Sequence, residues 1–197
     1  MSASAEPAQR SNGWHGPIGI LAGGLMLGVA IAWWLRLLPG LPPQEAGSQT
    51  FASAKPNFGV FPGDIAPDFQ LMTLEGGTAT LSKHRGHRVL LNFFASWCQP
   101  CRDEMPGVQS QAEAHASHDW VVLGIDVMET REAAATFRDE FDLTFPILLD
   151  EYGWVTATYQ VKGTPTSLFI DREGMIVERR LGYMSEAEIA QIIESVP

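Results

Sequence analysis

The apolar run Val89–Phe94 (VLLNFF) leads through Ala95-Ser96-Trp97 directly into the only two cysteines of the chain, Cys98 and Cys101. A strand with no polar face has to be covered on both sides, which rules out a sheet open to water beside it. Pro100 then sets a helical φ at the start of whatever follows and adds no orphan donor there. A buried strand, a tight turn and a helix opening on a cysteine pair are therefore expected in immediate succession.

The flanking sequence builds an α/β fold around that strand. Trp120–Asp126 (WVVLGID) reads as a second buried strand and Ile147–Leu149 as a short third. Helical spacing covers Pro100 to about His118, with Pro106 inside it, and also Thr130–Phe141, Tyr152–Tyr159 and Ser185–Val196. Ser185 with Glu188 three residues on has the pattern of a capping box. Hairpins are expected for Asp68–Thr73 with Thr78–Leu81 around Gly76-Gly77, and for Ser167–Asp171 with Met175–Arg179 around Gly174. Strands alternating with helices, plus terminal hairpins, indicate an α/β sandwich on a mixed sheet.

The N-terminal third is of another kind. Residues 1–16 lack any period and are expected to be disordered. No charge occurs from Pro17 to Leu35, and the apolar stretch Ile18–Leu38 spans about 32 Å as a helix at roughly 1.5 Å per residue. That matches a hydrocarbon core of about 30 Å, with Trp33, Trp34 and Arg36 at one interface. Ala30-Ile31-Ala32 resembles a leader cleavage site, but the run outlasts a leader's core of roughly 7–15 residues, so 17–38 reads as an uncleaved anchor. The proline- and glycine-rich residues 39–61 form a tether, and 62–197 the folded domain.

Charge excludes one class of partner. Residues 1–63 carry +1, so the chain's formal −10 leaves −11 on the remainder. Such a domain repels phosphate backbones, and nucleic-acid binding is not expected.

A bridge across two intervening residues constrains an unfolded chain little, so the cysteine pair is there for chemistry rather than stability. At a helix N-terminus, free backbone N–H groups and the dipole stabilise a thiolate, which makes Cys98 the expected nucleophile and Cys101 the resolving thiol. Zinc needs four ligands; His84, His87, His115 and His118 would have to supply two, and nothing in their spacing brings them to the pair. The alternatives are a disulfide-donating oxidase of the same fold and a non-enzymatic holder of metal or unfolded cytochrome. The threonine-flanked cysteine of peroxiredoxins is absent.

At Asn92-Phe93-Phe94-Ala95-Ser96-Trp97-Cys98-Gln99-Pro100-Cys101-Arg102, with Glu104-Met105-Pro106 after it and Gly163-Thr164-Pro165-Thr166 later, the chain resembles the TlpA/ResA-type membrane-anchored, thioredoxin-like thiol–disulfide oxidoreductases. The resemblance implies a thioredoxin-like sandwich with an N-terminal β-hairpin and a strand–helix insertion over Met128–Asp150. It also implies a cis Pro165 facing substrate, Trp97 beside the reacting sulfur, and substrate contacts at Thr164, Gln99 and Pro100. No cofactor is implied beyond the cysteine pair, and no metal. The expected partners are disulfide-containing exported proteins, apocytochrome c among them, with a membrane thiol reductase as electron donor. The expected location is the bacterial inner membrane, single-pass, with the domain on the periplasmic side. Thioredoxin has a buried aspartate where this chain has Asn92, which cannot take a proton at neutral pH. Glu104 and Glu151 are the candidates for proton transfer, although both read first as surface or structural carboxylates.

Overall fold

The computed structural model describes residues 57–116 and 120–197; the expected anchor, tether and N-terminal segment lie outside the described residues. Its centre is the expected strand, β3 (Arg88–Phe94), preceded by β1 (Gln70–Thr73), β2 (Thr78–Thr80) and a 3-10 turn at Leu81–His84. After β3 come α1 (Gln99–Ala114), β4 (Trp120–Val127), α2 (Arg131–Glu140), β5 (Ile147–Asp150) and α3 (Trp154–Thr158). The chain closes with β6 (Thr166–Ile170), β7 (Ile176–Leu181) and α4 (Glu186–Ser195). The strands form one sheet in the order β2-β1-β5-β4-β3-β6-β7, parallel across β5-β4-β3 and antiparallel elsewhere.

Alternation along β3 divides the core. Leu90 and Phe94 face α1, α2 and α4 through Met105, Val108, Phe137, Ile189 and Ile193. Val89, Leu91 and Phe93 face the opposite layer of Phe69, Leu81, Val155 and Tyr159. Both faces of the strand are dry, which is why its sequence shows no period of two. Val60 is buried in the second layer, so packing begins before the expected boundary at residue 62.

Several element ends differ from expectation, each for a local reason. The first strand begins at Gln70 because the Asp68 carboxylate accepts the N–H groups of Phe69 and Ser82 (3.0 and 2.8 Å), making a turn cap. The helix expected from Tyr152 starts at Trp154, since Gly153 takes a left-handed φ of 70° at its N-cap. α1 runs through Pro106 and ends at Ala114; residues 117–119, which include the end expected near His118, are not described. α4 opens with the anticipated capping box of Ser185 and Glu188. The strand–helix insertion supplies α2 and β5, and β5 pairs with β4 in parallel, with Val127 opposite Asp150.

Candidate active site

Cys98 is the N-cap of α1 and is bonded to Cys101, with the two Cα atoms 5.3 Å apart. The Cys98 sulfur accepts the Cys101 N–H at 3.2 Å. Reduced, the same sulfur would keep that donor and the positive end of the helix dipole, both favouring the thiolate. Cys98 is 5% exposed and Cys101 wholly buried, so an incoming group can reach only the first sulfur. Gln99 and Pro100 are exposed in the turn between them.

Across from the pair, the Thr164–Pro165 bond is cis. It brings the Thr164 carbonyl oxygen to 3.4 Å from the Cys98 sulfur, so the reduced thiol would find an acceptor where a substrate strand would pair. Arg102 stiffens the turn from below. Its guanidinium donates to the Ser96 carbonyl at 3.2 Å, pairs with Glu140 and lies over Phe137 and Phe141.

The two candidate acids part company. Glu104 is buried, contrary to a surface reading, because it lies one turn beyond Cys101 on the face of α1 that packs inward. It accepts from Asn92 Nδ2 and from the Met184 N–H, both at 3.0 Å, and Asn92 also donates to Ser167 at 2.8 Å. Burial raises the Glu104 carboxyl to about 7, although these donors pull it down. Glu151 is exposed and borders an open groove with Trp97.

Two further carboxyls at the site escape a reading by motif. Glu129 accepts the N–H and hydroxyl of Ser96 (2.5 and 2.6 Å), fixing the residue before Trp97. Asp126, at the end of β4 opposite Phe94, is buried, and neither of its oxygens meets a donor. Burial raises it to about 8, and the charges of Glu129 and Glu151 add to the effect. The available clue was a carboxylate at the carboxyl end of an otherwise apolar strand, where parallel sheets place their sites. Among the described residues no group of three or more His, Cys, Asp or Glu is arranged to hold a metal ion.

The profile of the AhpC/TSA family matches residues 62–179. The chain belongs to that family. The thioredoxin-like protein YneN of Bacillus subtilis is 37% identical over 148 residues, 74% of this chain and 85% of the relative. The thiol-disulfide oxidoreductase ResA of Geobacillus thermodenitrificans is 36% identical over 134 residues, 68% and 77% of the two chains. The crystal structure of StoA from Bacillus subtilis superposes with a TM-score of 0.57 at 27% identity, covering 67% of this chain and 97% of StoA. This family member is accordingly a thiol–disulfide oxidoreductase of thioredoxin-like fold, and its redox element is the Cys98–Cys101 pair.

Proposed function

We propose that this oxidoreductase works as a reductase of disulfides in exported proteins, apocytochrome c among them. In this reading residues 17–38 hold it in the bacterial inner membrane, and the domain faces the periplasmic side. The anchor is supported by the charge-free run Pro17–Leu35 and its flanking tryptophans. A membrane thiol reductase would return electrons to the pair.

The observation that carries the reaction is the placement of the Cys98 sulfur at a helix N-cap, beside the Thr164 carbonyl and above a buried partner. The Cys98 thiolate attacks one sulfur of the substrate disulfide, forming a mixed disulfide and releasing one substrate thiolate. Cys101, deprotonated, then attacks the Cys98 sulfur, re-forms the internal bond and releases the second substrate thiolate. Two electrons pass to the substrate, and its two thiolates take up protons. Trp97 flanks the entry sulfur, and Thr164 with Gln99 and Pro100 forms the rim on which the substrate strand lies. Substitution of Cys101 by serine is expected to arrest the cycle at the first step. A stoichiometric mixed disulfide through Cys98 should then be seen by non-reducing electrophoresis and mass spectrometry; an adduct that fails to accumulate, or forms on a variant lacking Cys98, rejects the scheme.

Resolution needs a base for the Cys101 proton, and Glu104 is placed for it on the next turn, with a carboxyl held at about 7. Glu104→Gln keeps the shape and loses the ionisation. The inflection near pH 7 in the rate of resolution should disappear in this variant, with slower turnover at pH 8 than the parent. Stopped-flow tryptophan fluorescence across pH 5.5–8.5 reads this out, and an unchanged profile excludes Glu104 as the base.

A further inference from the structure

We propose that the groove running from Trp97 across Tyr152 to Trp154 is where the substrate polypeptide docks, and that it takes a basic segment with large apolar side chains flanking the target disulfide. The inference rests on the reading of Cys98 as the entry sulfur and adds to it a class of substrate.

Single exposed apolar side chains are ordinary on a protein surface, whereas a contiguous set marks a binding region. Here Trp97 (73% exposed), which directly precedes the reactive cysteine, Met128 (62%), Tyr152 (80%) and Trp154 (76%) come from three separate segments. Trp97, Met128 and Tyr152 line one groove, and Tyr152 continues into an adjoining hollow with Met72 and Trp154. The Tyr152 and Trp154 rings are 6.2 Å apart. Between them Gly153 has no side chain, and a Cβ there would come within 2.9 Å of the Met128 sulfur. The thioether therefore lies across the turn between the two rings. The three segments follow β3, β4 and β5, the parallel strands of the sheet, whose carboxyl ends are where such sheets bind ligands.

The electrostatics choose the occupant. The groove holds Glu129, Glu132 and Glu151 against one cation, Arg131. That guanidinium is spent on the carbonyls of Thr73 and Leu74, and Glu129 on Ser96, while Glu132 and Glu151 stay exposed. The exposed charge is negative and sits on a domain of net −11, taken as the chain's −10 less the +1 of residues 1–63. An acidic segment or an anionic lipid surface is repelled, and a lysine- or arginine-bearing segment is steered in. Aromatic and methionine side chains supply adaptable apolar contact for the residues between the charges.

The test uses the full chain in neutral detergent, reduced beforehand, with two cystine peptides identical except for lysine–leucine or glutamate–leucine flanks. Hydroxyethyl disulfide serves as a small, uncharged disulfide that does not reach the groove. The expected kcat/KM is about tenfold higher for the basic peptide at low ionic strength, and the gap should narrow at 0.5 M salt. Glu132→Gln should reduce that preference, and Tyr152→Ser with Trp154→Ser should lower kcat/KM about tenfold on the basic peptide, mainly through KM. The rate with the small disulfide should stay at the parent value in all variants. Equal rates on the two peptides, or variants that lose as much on the small disulfide, overturn the docking site. A parent inactive on the small disulfide as well would instead sink the oxidoreductase reading, and the groove assignment with it.

Discussion

Replacement of Cys98 by serine is expected to reduce disulfide turnover to the protein-free background, a loss of at least about 10³-fold. The reason is the chemistry of the attacking atom. A thiol ionises near 8.5 when unperturbed and lower at a helix N-cap, so a useful fraction is thiolate at neutral pH. A serine hydroxyl at the same place stays protonated and is a far poorer nucleophile toward sulfur. Nothing nearby can stand in, since Cys101 is wholly buried and no other cysteine exists in the chain. The fold should survive, because α1 retains an N-cap whose hydroxyl oxygen can accept the Cys101 N–H as the sulfur does. Circular dichroism separates the two effects: native helix content with lost turnover supports the role. Full turnover by Cys98→Ser would mean that the reactive centre lies elsewhere.

How much of this could be read in advance depended on how local the cause was. β3 was legible because burial on both faces writes itself as an unbroken apolar run, and α4 because its capping box is contained within four residues. The start of α3 was not, because it depends on the backbone of Gly153, which packs under Met128 from another loop. The burial of Glu104 was half visible. Cys101, Glu104, Met105 and Val108 follow the spacing of one helix face, but its charge argued for solvent. Asp126 was hidden in the same way, at the polar end of an apolar strand. The groove was not legible at all, since only the parallel pairing of β4 with β5 sets Met128 beside Tyr152.

Asp126 also makes the protein's stability depend on pH in an unusual direction. An aspartate in the unfolded chain ionises near 3.8, and in the folded protein this one ionises near 8. Between those values the native state keeps a proton that the unfolded chain has released, so stability falls as pH rises, by up to about 1.4 kcal/mol per pH unit. Below the lower value both states are protonated, and above the upper value both are ionised, so the dependence flattens at each end. Asp126→Asn removes the ionisation and leaves an amide that can donate to the Glu129 carboxylate beside it. Glu104, raised to about 7, contributes the same slope to both proteins and drops out of the comparison. Urea unfolding of the oxidised proteins should show the variant gaining on the parent from pH 5 to pH 8, by at least about 2 kcal/mol across that range. Parallel curves for the two proteins would show that Asp126 is already ionised in the fold. Its two oxygens, buried without a donor, would then need a partner that the packing around β4 does not supply.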